Sequence, residues 1–415
     1  MPKAPFPYIR GHSFNLKILM WLMKNQMNWI WILVALFLFG CGNGKQKESD
    51  GLITVDVSKS YPKKELILQD LFDIEYVPLE TTDEFLTSGV PVALTEDVLM
   101  VRDVTRFFTG NLFLFDREGK PVKKINRKGE GGEEYLNTMS VVLDDQKNEI
   151  FVDNYLGRRV MIYDLDGNFK RSFEHIEGRS YERLGNLNQD YLICHDGSLE
   201  TMEKRNFFMI VSKQDGKVKE IQIPYDKTIF PMITQGDAIY FIYNESQIPY
   251  KGDWFLMEPS SDTIYCYSKD HVLKPFIVRT PTIQLMEPQI FLYPGAQTDR
   301  FCFMQAVKKE FEVFEPGKRF EFYRTELVYD KLEDKIYEYT LRHSDFLDDR
   351  HFSMVYDNNV IIFLNSNQYA FLMRFEAPDL VEALNDGKLR GPLKEIASSL
   401  DEEDNPVILI AKYKK

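Results

Sequence analysis

The sequence predicts an all-β fold, a six-bladed β-propeller of four-stranded antiparallel blades, with a short C-terminal helical segment before a closing strand. Three observations predict it. Aromatic residues reach 14%, with 22 Tyr and 31 Phe in 415 residues, and they fall in short β-type runs. A Gly-ending turn returns with its glycine at Gly119, Gly167 and Gly216, a period near fifty residues that holds four such runs each time. A last strand-like run, VILIAKY at 407–413, follows a helical detour, as expected where both chain ends complete one blade of a ring.

The first forty residues read as targeting. Trp29 to Gly40 (WIWILVALFLFG) has the length of a signal-peptide core and is short for a membrane span. A basic n-region starting at Met23-Lys24 would make residues 1–22 an over-called start. The run ends in Leu38-Phe39-Gly40-Cys41, followed by polar GNGKQKESDG. This resembles the lipobox of bacterial lipoproteins, which implies cleavage before Cys41 and lipidation of its thiol. An ordinary signal peptide or an anchor helix is the other reading. The expected layout is a signal peptide over 1–40, a lipidated cysteine and flexible tether over 41–50, and the propeller over 51–415. The formal charge is −13, and residues 1–40 contribute four basic residues and no acid, so the remainder carries −17. Such a chain repels nucleic acid, which is excluded as a partner.

Along the chain, ITVDV (53–57) and FDIEYVPLE (72–80) alternate as strands do. The first full unit has runs near 91–94, 97–102, 111–116 and 121–125, the last two joined by D-R-E-G. D-L-D-G at 164–167 and K-Q-D-G at 213–216 mark the next two units. In these turns Asp bonds nearby backbone and Gly takes positive φ, so the aspartates read as structural. A fourth unit is expected to begin near Met232, to carry YNESQIPYKGDWF as an insertion and to end with 262–278. A fifth spans about Ile290 to Leu341, and a sixth begins at 351–365 and continues into 369–376. DLVEAL and PLKEIASSL have helical spacing, and strand 407–413 is expected to share the closing blade with the N-terminal strands. Cys194, Cys266 and Cys302 sit in apolar contexts and read as core residues; one disulfide between two of them is left open.

EYVPLETT (75–82), GEGGEEYLN (129–137), VVLDDQKNEIFVDN (141–154), IYDLDGNF (162–169) and the tail NPVILIAKYK (405–414) together resemble the six-bladed β-propeller lipoproteins of the NHL/TolB-like type. The resemblance implies the propeller fold and a place in the bacterial cell envelope, lipid-anchored, with the outer membrane as the expected membrane. The loop departs from that family's G-x-G-P-G-E-Y pattern, with Gly132 where Pro is usual and Glu133 where Gly is usual.

Propeller topology places the blade-to-blade connections on the same face as the loops joining strands two and three. In the best-marked blade this gathers Glu133, Glu134, Tyr135, Asp153, Asn154, Tyr155 and Arg158 as candidate ligand-binding residues. The bland alternative is junction packing by Glu134-Tyr135 and a turn at Asp153-Asn154. His343, Asp345 and His351 are weak metal candidates in a spacing that matches no known motif, and the loop 144–148 reads as a hairpin turn rather than a calcium site. No nucleophile elbow, phosphate loop or H-E-x-x-H is present, and no cofactor is expected. The expected role is a non-catalytic binding or scaffolding lipoprotein whose ligand is a carbohydrate, a peptide or an envelope protein. The alternatives are a propeller glycan hydrolase or lyase using loop-face carboxylates, and a sensor or docking subunit.

Overall fold

The computed structural model describes residues 51–103, 109–198, 206–236, 238–315, 319–355 and 361–414. The leader, Cys41 and the tether lie outside the described residues. Three strands come first: β1 (Ile53–Asp56), β2 (Lys63–Ile67) and β3 (Phe72–Pro78), the last two linked by a single helical turn, α1 (Leu68–Leu71). Blade 1 is β4 (Val90–Leu94), β5 (Leu99–Arg102), β6 (Asn111–Phe115) and β7 (Pro121–Asn126). Blade 2 is β8 (Val141–Asp144), β9 (Glu149–Asn154), β10 (Arg159–Asp164) and β11 (Phe169–Glu174). Blade 3 is β12 (Tyr181–Asn186), β13 (Tyr191–Asp196), β14 (Phe208–Ser212) and β15 (Val218–Ile221).

A separate hairpin follows, β16 (Met232–Gln235) and β17 (Ala238–Phe241). Blade 4 is β18 (Gln247–Tyr250), β19 (Asp253–Met257), β20 (Thr263–Tyr267) and β21 (Leu273–Thr280). Blade 5 is β22 (Ile290–Gln297), β23 (Phe301–Glu315), β24 (Arg319–Asp330) and β25 (Lys335–Arg342). Blade 6 contains β26 (Ile361–Phe363), β27 (Tyr369–Phe375) and, after helices α2 (Ala377–Asn385) and α3 (Gly391–Ala397), β28 (Val407–Tyr413).

The middle strands of the blades are apolar on both faces because each face meets a different neighbour. Leu99, Val101, Phe113 and Phe115 pack against blade 6, whereas Met100, Leu112 and Leu114, one residue out of phase, pack against blade 2. That is why NLFLF at 111–115 reads as one unbroken apolar run: a strand buried on both faces loses the usual alternation. The core is thus divided into interblade layers, of which Phe151, Ile162, Cys194 and Met209 form one and Ile193, Phe208, Trp254 and Leu256 the next. The three described cysteines are free.

The turns follow their chemistry. Gly119, Gly167 and Gly216 have φ of 85°, 80° and 70°. Asp116 Oδ1 accepts from the amides of Glu118 and Lys120 at 3.0 and 2.8 Å, and Asp164 Oδ1 accepts from Asp166 and Asn168 at 2.9 and 2.8 Å. In the third turn Lys213 replaces that aspartate and turns inward. Its ammonium is buried and donates to Asp144 Oδ2 at 2.6 Å, Asn186 Oδ1 at 2.6 Å and the Asn188 carbonyl at 2.7 Å. The hairpin loop that begins at Asp144 therefore already holds a cation, one supplied by the chain.

The ring closes through blade 6, where β28 lies between β27 and β3, in register from Val407↔Pro78 to Tyr413↔Phe72. Closure is pinned by Asn405, which is fully buried. Its Oδ1 accepts from the Thr87 amide at 2.7 Å, and its Nδ2 donates to the carbonyls of Glu80 and Phe85 at 2.9 and 2.6 Å. Helices α2 and α3 pack Leu380, Ala383, Leu393 and Ala397 into a small satellite core with Phe346 and Val407.

Two sequence expectations need correction. Of the N-terminal strands only β3 enters the closing blade; β1 adds in parallel to the outer edge of blade 4 and β2 to that of blade 5. The fourth blade also begins later than Met232. The supposed insertion supplies its first two strands, buried from Gln247 to Pro249 and from Trp254 to Met257, while Met232–Gln235 and Ala238–Phe241 are exposed or half-buried and cannot fill a ring core. That hairpin instead packs Tyr240 against Phe311 and Phe320 at ring-centroid distances of 4.6 and 4.8 Å, on the overhanging ends of β23 and β24.

Candidate functional site

The residues singled out at the junction of blades 1 and 2 divide by exposure. Tyr135 is buried at 0% exposure; its hydroxyl donates to the Gly110 carbonyl at 2.7 Å and its ring meets Tyr163 edge-on at 5.8 Å. Glu134 folds back on its own loop, accepting from the Gly131 amide at 2.9 Å, and the Glu133 carbonyl accepts from the Tyr163 hydroxyl at 2.9 Å. A side chain at Gly132 would meet nothing within 4 Å, whereas one at Gly129 would collide with the Glu134 carboxylate. The loop is therefore wound around Glu134, with Gly132 at its open tip. Asn154 Oδ1 accepts from the amides of Leu136 and Gly157 at 3.1 and 3.2 Å. Asp153 is buried 2.9 Å from His175 Nε2, an approach without hydrogen-bond geometry, and burial pushes its carboxyl up. Tyr155 is 42% exposed, and Arg158, at φ 52°, donates to the carbonyl of Ile176 at 3.1 Å.

His343 and Asp345 are brought together, but around Tyr76. The Tyr76 hydroxyl donates to Asp345 Oδ2 at 2.8 Å and lies 2.9 Å from His343 Nε2, and the Asp345 amide donates to His343 Nδ1 at 3.1 Å. Burial lowers His343 to about 4. His351 is exposed. Among the described residues no group of three His, Cys, Asp or Glu is placed to hold a metal ion.

The strongest concave site was not singled out from the sequence. A cavity of about 420 Å³ opens where blades 3, 4 and 5 meet, within the volume range of small-ligand sites. Blade 3 contributes Glu182 and Arg183 from its first strand and Asp196 from the end of its second. The connection to blade 4 contributes Phe230, Phe241, Tyr243 and Asn244, and the end of β19 contributes Glu258. Tyr293, on the first strand of blade 5, completes the wall. These are blade-to-blade connections and strand two-to-three loops, so topology puts this cavity on the same face as Glu133 and Tyr155.

The charges of the cavity fall into two groups. Asp196 is bonded by Arg179 at 2.8 Å, and Arg183 is paired with Glu245 at 2.9 Å. Behind them, Arg324 donates to Asn244 Oδ1 at 2.7 Å, Asn244 Nδ2 to Gln305 Oε1 at 3.0 Å, and the Tyr339 hydroxyl to Glu326 Oε2 at 2.7 Å. Glu182 and Glu258 have no cation bonded to them among the described residues. Burial raises both carboxyls, Glu258 to about 7, and Glu258 has the Ser260 amide as a donor at 3.1 Å. The Tyr293 hydroxyl is buried without a hydrogen-bond partner. A larger hollow of about 520 Å³ at the ring's edge is lined by Lys64, Asp299 and Arg300. Two of its cations are already bonded to Asp330, Lys64 at 2.6 Å and Arg300 at 2.7 Å, which makes it the weaker candidate.

One sequence signal pointed to the network behind the cavity: Arg324 and Glu326, two apart, share one face of a strand in an otherwise aromatic run. Glu182, Glu258 and Tyr293 carried none, since their convergence depends on three blades.

The profile of a protein family described as "Domain of unknown function (DUF4934)" matches residues 52–412. A search of curated proteins found no match. Among solved structures the chain is similar to a "Putative exported protein" from Bacteroides fragilis NCTC 9343, at 16% identity and a TM-score of 0.58, covering 88% of this chain and 100% of that one. It also matches a member of the DUF4221 family from Bacteroides vulgatus at 12% identity and a TM-score of 0.47, covering 83% and 97%. A virginiamycin B lyase from Staphylococcus aureus matches at 8% identity and a TM-score of 0.38, covering 82% and 99%. At the identity of the first structure the likeness is one of fold.

Proposed function

The chain belongs to the DUF4934 family, and from that premise we propose that it serves the bacterial envelope as a lipid-tethered binding propeller. It holds a carbohydrate, peptide or envelope-protein ligand rather than transforming one. The observation that carries the reading is the cavity among blades 3, 4 and 5, where two carboxylates with no cation bonded to them among the described residues and a tyrosine hydroxyl with no hydrogen-bond partner line a ligand-sized space. Buried polar groups are normally satisfied, and unsatisfied ones in a concave site point to a partner that arrives from outside. Glu133, Glu134, Tyr155 and Arg158, on the same face, extend the surface open to a larger ligand. The envelope location rests on the apolar run before Cys41, and the exported relative of similar fold is in keeping with it. Kinship with the NHL/TolB-like lipoproteins belongs to the same proposal.

The test is a panel of oligosaccharides and peptides titrated against the purified protein and against Thr228→Trp, which enlarges a residue of the cavity lining. Saturable binding that Thr228→Trp abolishes supports the reading; a panel with no binder, or one indifferent to Thr228→Trp, refutes it. A second reading, a glycan hydrolase or lyase, is favoured by one observation, the Glu258 carboxyl raised to about 7 in a cavity that also holds Glu182. Turnover of a panel glycan, lost in Glu258→Gln, would establish it.

A further inference from the structure

The cavity described above has a definite electrostatic deficit. Of its acids, Asp196 is matched by Arg179 at 2.8 Å, and its one arginine, Arg183, is matched by Glu245 at 2.9 Å. Among the described residues, Glu182 and Glu258 have no cation bonded to them. Buried carboxylates are ordinarily paired, because taking a charge out of water costs several kcal/mol unless a counter-charge replaces the solvent. An anionic ligand would deepen the imbalance. Among the described residues no group of three His, Cys, Asp or Glu is placed to hold a metal ion.

The remaining walls narrow the choice. Phe230, Phe241 and Tyr243 line the cavity beside the carboxylates, and aromatic faces attract organic cations. The Tyr293 hydroxyl, on a residue only 2% exposed, has no partner and can accept or donate one hydrogen bond. An ammonium group has three donors and no acceptor, which suits two carboxylates and a hydroxyl oxygen.

Resting on the reading of this cavity as a ligand seat, we propose that it recognises a primary ammonium group, as carried by a lysine side chain, a peptide amino terminus or an amino sugar. Glu258 and Glu182 supply the counter-charge, Tyr293 accepts the third N–H, and the aromatic wall holds the carbon skeleton. The raised carboxyls fit this arrangement, since burial without a bonded cation disfavours their charged form and an arriving cation would relieve that cost.

The experiment compares benzylamine with its neutral near-isostere benzyl alcohol, by calorimetric or NMR titration of the purified protein at neutral pH. The expected result is saturable benzylamine binding, with the alcohol at least roughly tenfold weaker. Glu258→Gln and Glu182→Gln should each bring the amine down toward the alcohol. Should Glu258→Gln fail to fold, Glu182→Gln carries the test alone, since Glu182 is less buried. If alcohol and amine bind equally and Thr228→Trp abolishes both, the cavity is a ligand seat but the ammonium assignment falls. If neither probe binds, or if both bind with Thr228→Trp unchanged, the seat and the ammonium assignment fall together.

Discussion

Asn405→Ala should loosen the ring at its seam. The side chain makes three hydrogen bonds at a fully buried position: from the Thr87 amide at 2.7 Å, and to the Glu80 and Phe85 carbonyls at 2.9 and 2.6 Å. A buried bond contributes about 1 kcal/mol net, and a partner left unsatisfied costs about 1–3 kcal/mol. Truncation thus costs about 3 kcal/mol or somewhat more. For a domain of this length unfolding as one unit, an unfolding entropy of about 2.1 cal/mol/K per residue converts that to a fall in Tm of about 4 °C. Thermal unfolding followed by near-ultraviolet circular dichroism measures the shift, and hydrogen exchange should show the Thr87 amide losing protection first. Asn405→Asp sharpens the test: it keeps the acceptor for Thr87 but turns a carboxylate oxygen toward two carbonyls. It should be worse than alanine at neutral pH and recover as the carboxyl is protonated. A Tm change below about 1 °C for Asn405→Ala, with Thr87 exchange unaltered, would refute the reasoning.

Four further outcomes follow from the same structure. Burial lowers His343 from 6.5 to about 4, so the unfolded chain takes up a proton that the fold refuses, and stability falls as pH drops through that window by up to about 3 kcal/mol. His343→Asn should flatten that part of the urea-unfolding profile between pH 7 and 4; an unchanged slope would contradict it. Glu258 is shifted the other way, from 4.5 to about 7; its contribution is complete below pH 4.5 and is lost as pH rises through 7, so Glu258→Gln should be at least as stable as the parent at pH 8, and a clear loss there would count against the assignment. Gly119, at φ 85°, has no room for a side chain because a Cβ would lie 2.1 Å from the Pro78 carbonyl oxygen, while Gly236, at φ 61°, has nothing within 4 Å; Gly119→Ala should cost about 2 kcal/mol or more and Gly236→Ala about 1 kcal/mol, and equal costs would show that the close approach does not matter. Cys41 should take up a fatty-acid probe in a bacterial host and Cys41→Ala should not; an unlabelled parent chain would remove the lipid anchor from the proposal.

The blades were legible where local chemistry decides them. The Asp-x-x-Gly turns at 116–119 and 164–167 gave the repeat, because the aspartate and the positive-φ glycine are needed within four residues of each other. VILIAKY announced a closing strand, and it lies with neighbours on both sides, buried from Val407 to Ala411. Legibility failed where two segments had the same local pattern and only the ring could choose between them. MITQGDAIYFIY and QIPYKGDWFLM both read as a hairpin, and the second is the one buried in the core. KELIL at 64–68 was missed because β2 borrows its stability from an edge 275 residues away. The cavity is the extreme case. Glu182, Glu258 and Tyr293 are ordinary residues in ordinary strands and loops, and only the meeting of three blades leaves them facing one space.

The outer-edge strands carry a consequence for how the molecule comes to exist. β1 pairs with Ile277–Thr280, β2 with Glu338–Arg342 and β3 with Val407–Tyr413. The first strands to leave the ribosome therefore wait for partners made progressively later, and the last of them waits for nearly the final residues. Contacts so distant in sequence make for slow folding, and here they also make folding conditional. A chain stopped short of residue 407 lacks β28 and so leaves β3 without a neighbour and β27 with an open edge on blade 6. The ring thus tests its own completeness.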